Sequence, residues 1–329
     1  DVQTGEIKAM SNLDRAKDGS GYYEMANHAV VRMEPGSTFK TISLMAALDD
    51  GKVKMKDTIR VEHDGWWYHG AKHMDAHPSD TVYTIRQAMA VSSNIALAKI
   101  VTDGYNGSAK KFVKKLRNMG LCDSVDFTIP GANQALINVP NDTVTISKMA
   151  YGYSVELSPL QILMFYNGIA NDGKMISPLF VKEIRKDGKT IEEFESTVIK
   201  GSMCDDSTLE GVRECLHDVV WDNELGTASV NPWGTRKAQS NLVTIAGKTG
   251  TAQVLERGYH NTRHRMSFVG YFPEEHPQYS CICVIHAPKW PYDSGLDCGG
   301  VVRQVAEKTM AYAGEYVYKK KEKVLIVNK

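Results

Sequence analysis

Apolar positions follow a helical period through the middle of this chain and a strand-like pattern towards its end. Residues 39–48 are apolar nearly all round and stop at Asp49-Asp50-Gly51, which predicts a central buried helix with a glycine stop. A helical pattern over 84–101 breaks around Val91-Ser92-Ser93-Asn94, and another over 108–119 ends at Gly120. Residues 158–171 predict a strong helix, with Ser158 as N-cap and Pro159 at the first helical position. Further helices are expected over 207–220 and 301–313. Strand patterns cover 6–10, a hairpin over 181–195 turning at Lys186-Asp187-Gly188, and then 243–253, 266–272 and 280–286. Residues 15–34, 52–80 and 121–147 read as loops with short apolar pieces.

Strands at both ends with helices between them predict an α/β (α+β) fold, an antiparallel sheet flanked by helices with an inserted all-helical lobe. We expect one domain over 1–329: a sheet lobe from roughly 1–36 and 205–315, a mostly helical lobe over roughly 37–204, and a solvated tail at 316–329.

Lys plus Arg and Asp plus Glu both number 39, so the basic stripe of a nucleic-acid platform is missing. No apolar run reaches the roughly 18 residues that a membrane span needs. The chain opens without methionine inside a strand-like run and is read as a fragment lacking an N-terminal anchor and an upstream module. Cys122, Cys204, Cys215, Cys281, Cys283 and Cys298 match no zinc spacing and are too sparse for a disulfide scaffold. Cys281 and Cys283 lie two apart on one strand face and are not expected to bond each other.

Three short motifs carry candidate chemistry. In Glu34-Pro35-Gly36-Ser37-Thr38-Phe39-Lys40-Thr41, a serine and a lysine three apart share a helical face. A hydroxyl needs a proton acceptor to attack a carbonyl at neutral pH, and an amine lowered in pKa by burial or by a neighbouring cation can serve. Ser92-Ser93-Asn94 puts a hydroxyl and an amide on a turn between helical segments, where they can relay a proton and hold a substrate, or simply cap a helix. Lys248-Thr249-Gly250-Thr251 follows an apolar strand and offers a cation, two hydroxyls and backbone N–H groups. Gly247 and Gly250 are expected to let a ligand backbone lie close, by strand addition if the edge is exposed.

Other clusters carry less. His69, His73 and His77 have helical spacing, but Gly70, Asp75 and Pro78 mark a loop, and His260 and His264 lack a zincin glutamate, so no metal site is assigned. Trp66-Trp67 reads as packing, and Glu156 as a solvated or helix-start carboxylate.

The order and spacing of the three motifs resemble those of penicillin-binding proteins and serine β-lactamases. The resemblance extends to Gly5-Glu6-Ile7-Lys8-Ala9-Met10, Pro159-Leu160-Gln161, Ala170-Asn171-Asp172-Gly173, Gly226-Thr227-Ala228, residues 246–253 and residues 267–273. It covers nearly the whole chain and is closest to the transpeptidase domain of the monofunctional, class B penicillin-binding proteins, with wording at 34–40 like the division-specific branch. It departs in Ser93, where the β-lactamase form has Asp, and at Gly299-Gly300, which runs into Val301-Val302-Arg303-Gln304.

The resemblance implies a D,D-transpeptidase that acts on peptidoglycan stem peptides ending in D-Ala-D-Ala, is acylated by β-lactams and needs no cofactor or metal. Ser37 would be the nucleophile and Lys40 its base. Ser92 would relay a proton to the leaving amine, and Asn94 would hold the substrate amide. Lys248, Thr249, Gly250 and Thr251 would bind the terminal carboxylate and peptide, with the N–H groups of Ser37 and Thr251 as oxyanion hole. It further implies partners among glycosyltransferases and division proteins, no nucleic acid, and anchoring at the extracytoplasmic face of the bacterial inner membrane. A D,D-carboxypeptidase, a β-lactamase and a non-enzymatic penicilloyl sensor or partner-docking domain share the fold and stay open as alternatives.

Overall fold

The computed structural model describes residues 1–121, 129–254, 263–288, 291–313, 317–320 and 323–326. Two short paired strands, β1 (Asp14–Arg15) and β2 (Tyr22–Tyr23), precede the 3-10 turn Gly36–Thr38 and helix α1 (Phe39–Asp49). Strands β3 (Thr58–Val61) and β6 (Thr81–Thr84) pair around the smaller hairpin of β4 (Trp66–Tyr68) and β5 (Ala71–His73). Helices α2 (Ile85–Ala90), α3 (Asn94–Gly104), α4 (Ala109–Asn118), α5 (Thr145–Met149) and α6 (Pro159–Ala170) follow. Next, β7 (Met175–Ile176) pairs with β10 (Val198–Lys200), enclosing the hairpin β8 (Glu183–Lys186) and β9 (Lys189–Glu193). Helix α7 (Asp206–Trp221) leads to β11 (Ala246–Val254), β12 (Arg263–Phe272), β13 (Tyr279–His286) and α8 (Ser294–Tyr312). A last pair, β14 (Val317–Lys320) and β15 (Lys323–Ile326), occupies the region read as a solvated tail.

Helix α1 is the centre of the molecule. Nine of its 11 residues are buried, among them Lys40, Thr41 and Ser43. Phe39 and Ile42 join the core shared with Phe112, Leu116, Phe165 and Ile169, while Leu44 and Ala47 join a second one with Ile85, Met89 and Leu97. A third core lies under the sheet, where Phe268 and Phe272 of β12 meet Val219 and Val220 of α7 and Val302 and Ala306 of α8.

The three-stranded antiparallel sheet has the order β11-β12-β13, so β11 is an edge strand. Its register is unbroken, with Lys248 opposite Val269 and Gly250 opposite Ser267. The N-terminal stretch expected to add a strand does not do so. Residue Glu6 makes a single parallel bridge to Leu179, and the segment touches the sheet where the Val2 N–H donates to Gln278 O at 2.8 Å. The last long helix begins seven residues earlier than its hydrophobic pattern announces, because Asp293 Oδ1 caps it by accepting from the N–H groups of Gly295 and Leu296 (2.8 and 3.0 Å). The stretches read as loops hold short elements (β1 and β2, β3 to β5, and α5), so the inserted part is not all-helical, whereas two other signals are followed. Ser158 and Gln161 close a capping box on α6, and Asp187 and Gly188 both take positive φ (51° and 76°) in the β8–β9 turn.

Candidate active site

The Ser37 turn is built by local chemistry. Gly36 has φ +58°, its N–H donates to Gly152 O at 3.2 Å, and Thr38 Oγ1 donates to Pro35 O at 2.9 Å. The Glu34 carboxylate accepts from Ser154 N–H at 2.9 Å, so the segment 152–154 clamps the entry to α1. Ser37 stands in the first turn, where backbone N–H groups lack an acceptor from their own helix. From the next turn Lys40 runs fully buried along α1.

The Ser92 turn joins two helices with no linker to spare. Helix α2 ends in a Schellman pattern: Ser92 N–H donates to Met89 O (3.2 Å) and Ser93 N–H to Ala88 O (2.9 Å). Ser92 takes the left-handed position at φ +58°, which glycine usually fills and which costs a serine roughly 1–2 kcal/mol. Ser93 then caps α3, its Oγ accepting from Ala96 N–H at 3.0 Å. The capping reading of this motif is therefore right for Ser93, and Ser92 is left to face the lysines.

Those lysines converge on it. Lys40 Nζ donates to Ser92 O at 2.5 Å and lies 3.1 Å from Ser92 Oγ. Lys248 Nζ, also fully buried, lies 2.9 Å from the same Oγ and donates to Thr249 O at 3.1 Å. Burial pushes Lys40 down to about 7, against a weaker upward pull from the Asp75 carboxylate. Burial, and then the nearby Lys40, push Lys248 well below an ordinary lysine. Two ammonium groups around one buried hydroxyl repel, so one lysine is favoured as a neutral amine. Such an amine can accept a proton.

Strand β11 lies against the Ser37 turn. A Cβ on Gly250 would stand 2.3 Å from Ser267 Oγ and 3.0 Å from Thr38 Cγ2, and one on Gly247 would stand 2.5 Å from Val269 O. These glycines thus also serve packing within the chain, a role that the sequence reading did not assign to them. The Gln253 N–H points away from β12 and donates to Tyr153 OH at 3.0 Å. In an unbroken ladder, alternation turns the N–H groups of Thr251 and Thr249 the same way, onto the outer edge. Thr249 Oγ1 meets Thr227 Oγ1 at 2.7 Å, and the exposed Thr251 has its Oγ1 3.4 Å from Ser294 Oγ.

Of the residues singled out from sequence, Lys40, Ser92, Lys248 and Thr249 thus form one hydrogen-bonded group, with Ser37, Gly250 and Thr251 on the segments packed beside it. Asn94 stands at its rim. Its side-chain amide donates to Met74 O at 2.7 Å. Sequence reasoning passed over the supports: Asp75, and the stretch Ser147 to Ser154 that ties the parts together. His73 of β5 is buried between Tyr151 OH (2.7 Å) and Ser147 Oγ (3.0 Å), which fixes the strand that leads into Asp75. No spacing rule would have found them, because each contact spans some 18 to 120 residues of chain.

The histidine spacings lead elsewhere. His69 is a turn residue with φ 46°, His264 meets Tyr292 OH at 2.6 Å, and His260 lies outside the described residues. Among the described residues no group of three or more His, Cys, Asp or Glu could hold a metal ion. Cys204, Cys215, Cys281, Cys283 and Cys298 are free thiols, and Cys122 lies outside the described residues. Trp66 stacks on Tyr68 at 5.2 Å, whereas Trp67 is largely exposed; Glu156 faces Arg32 at 3.5 Å. Among the described residues no helix is long and apolar enough to cross a membrane.

Comparison with known proteins gives a consistent picture. The family described as penicillin binding protein transpeptidase domain matches residues 1–310. The probable peptidoglycan D,D-transpeptidase PenA of Neisseria flavescens is 28% identical over 324 residues, covering 95% of this chain and 74% of that protein. Penicillin-binding protein PbpB of Mycolicibacterium smegmatis is 27% identical over 312 residues, covering 88% of this chain and 45% of that protein, so the chain spans less than half of that relative's length. Penicillin binding protein 3 of Mycobacterium tuberculosis, solved as a complex with aztreonam, superposes with a TM-score of 0.79 at 23% identity, covering all of this chain and 74% of that one.

Proposed function

This chain belongs to the penicillin-binding protein transpeptidase domain family, in its class B branch, and on that premise we propose that it is a serine D,D-transpeptidase that cross-links peptidoglycan stem peptides. The observation that carries the reading is the pair of buried lysines, Lys40 and Lys248, sharing Ser92 Oγ beside the Ser37 turn.

In the proposed reaction, neutral Lys40 takes the proton of Ser37 Oγ as that oxygen attacks the carbonyl of the penultimate D-alanine. In the structure the Lys40 amine is turned to Ser92. Catalytic hydrogen bonds of this kind tighten when substrate binds. The N–H groups of Ser37 and Thr251 receive the oxyanion; each such donor is worth about 2.7–4 kcal/mol in comparable sites. Ser92 gives its proton to the departing amine of the terminal D-alanine and takes the one held by Lys40, 3.1 Å from its Oγ, leaving an ester on Ser37 and Lys40 neutral again. Lys248, Thr249 and Thr251 hold the substrate carboxylate, and Asn94 the peptide amide. An amine from a second stem peptide then attacks the ester, and the proton it gives up returns to Ser37. The bond broken and the bond made are both amides, so no nucleotide or metal is required.

β-Lactams acylate the same serine in this scheme. The wording at 34–40 and the relatives named as an FtsI homolog and as Stage V sporulation protein D favour a septal task, with glycosyltransferase and division partners, and anchoring outside the inner membrane. The whole of 1–329 then serves as the transpeptidase domain of a longer protein.

Two measurements test the reading. A stem peptide ending in D-Ala-D-Ala, offered with an acceptor amine, should yield cross-linked product with release of D-alanine. Release of D-alanine with no cross-link would assign a carboxypeptidase, and rapid loss of a penicilloyl label a β-lactamase. The second is pH dependence. With Lys40 near 7, the fraction of neutral base is small at pH 5, half at about 7 and nearly complete at pH 9. The acylation rate should therefore climb through pH 7 and level off. A flat profile between pH 5 and 9 would remove Lys40 from the base role.

A further inference from the structure

Asp75 sits in the loop after β5, outside all three motifs, yet its carboxylate grips the middle one. Oδ2 accepts from Ser93 Oγ at 2.7 Å, and Oδ1 accepts from the N–H groups of Asn94 (2.6 Å) and Ile95 (3.0 Å). These are the first donors of α3, where a carboxylate is also favoured by the helix dipole. The loop itself is fixed on both sides: Met74 O accepts from Asn94 Nδ2, and His73 is anchored between Tyr151 and Ser147. Ser93 cannot shift without breaking this grip, and Ser92 is the residue before it, held in a left-handed conformation.

We propose that Asp75 is a positioning residue for acylation, holding the Ser92-Ser93-Asn94 turn so that Ser92 Oγ stands between the two lysines and setting the electrostatic environment of Lys40. The inference rests on the reading of Ser37 as the acylated nucleophile. Cap bonds alone would explain a contribution to stability. The second role follows from the geometry. Asp75 grips Ser93 and the Asn94 N–H, and Lys40 Nζ is bonded to Ser92, the residue before them. The carboxylate therefore stands close enough to favour the charged amine. Lys248 on β11 is a charged neighbour of Lys40 among the described residues. Tyr166 of α6 meets the Ser37 turn at Thr38 O and α1 at Thr41 Oγ1. Asp49, Asp50, Lys115 and Tyr105 pair with one another at the far end of that helix. On α3, Lys99 is paired with Glu62, and Arg86 of α2 with Asp218 of α7.

The test is the rate of acylation by a chromogenic β-lactam as a function of its concentration, measured from pH 5 to 9 in wild type, Asp75→Asn and Asp75→Ala. The concentration series gives the maximal rate and the half-saturating concentration separately. Asn keeps an oxygen for the two backbone N–H groups and an amide for Ser93 Oγ, but removes the charge. Without the negative field the Lys40 proton is held less tightly, so the acidic limb should move to lower pH in both variants. Asp75→Ala also frees the turn and should slow maximal acylation about 10- to 100-fold, with the loss in the maximal rate rather than in the half-saturating concentration. A merely structural cap would lower Tm and move neither limb nor maximal rate, and that result overturns the proposal. Should Asp75→Ala fail to fold, an unmoved limb in Asp75→Asn overturns it equally. If wild type is not acylated at Ser37, the function proposed above falls first and this inference with it. Acylated wild type with unshifted variants refutes the role of Asp75 alone.

Discussion

Replacing Lys40 by methionine is expected to slow acylation by a β-lactam by about 10²–10⁴-fold while leaving the fold intact. Methionine matches the length of the buried stem but has no lone pair that could accept the Ser37 proton. Stability should be unchanged or higher. The unfolded chain holds a proton on Lys40 up to about 10.5, whereas the folded chain releases it at about 7. Between those values the unfolded state binds more protons, so stability rises with pH there, and burial of this lysine costs stability at neutral pH. Methionine removes that cost, together with the repulsion of Lys248. Lys40→Arg should lose activity as fully, since guanidinium stays charged, and should also lower Tm because a permanent charge is then buried. The activity is read from stopped-flow acylation and the fold from thermal unfolding. Near-normal acylation in Lys40→Met would transfer the base role elsewhere.

The second large effect is expected at Gly152, a residue that performs no chemistry. It has φ +89°, and a Cβ there would stand 2.1 Å from Gly36 O and 2.7 Å from Gly36 N. Gly152→Ala therefore adds a backbone collision to left-handed strain, and we expect it to lower stability by about 2–4 kcal/mol. Because the atoms it strikes precede Ser37 by one residue, the acylation rate should fall about 10²-fold even in the folded fraction. Gly70→Ala is the matched control: φ is +86°, but nothing lies within 4 Å of its Cβ position. It should show only the conformational cost of roughly 1–2 kcal/mol, with normal acylation of the folded protein. Denaturant unfolding and single-turnover acylation of both variants separate strain from collision. Equal behaviour of the two would refute the clamp.

What could be read from sequence was what local physics decides. The all-apolar run after Phe39 could only be a buried helix, and the break at Val91-Ser92-Ser93-Asn94 falls where α2 ends and α3 begins. The Ser158-Pro159 start and the Asp187-Gly188 turn likewise need nothing from the rest of the chain. Residues 6–10 alternate like a strand but find no long partner, because pairing is decided by distant segments. The start of α8 was hidden by Gly299-Gly300, which weaken a helical pattern. In the site, the three motifs could be named, but not that Ser92 Oγ bridges the lysines or that Ser93 is a cap. Asp75 was invisible for a plainer reason. It looked like loop composition, and its value lies in three donors that folding brings from 18 to 20 residues away.

The central claim is that Ser37 is a nucleophile activated by buried lysines. It is tested most directly by intact-mass and peptide-mass analysis of the protein after reaction with benzylpenicillin. The account predicts one adduct of the inhibitor's full mass, on the peptide that carries Ser37, and none in Ser37→Ala. A folded protein that gains no mass, or an adduct that persists in Ser37→Ala, would contradict it.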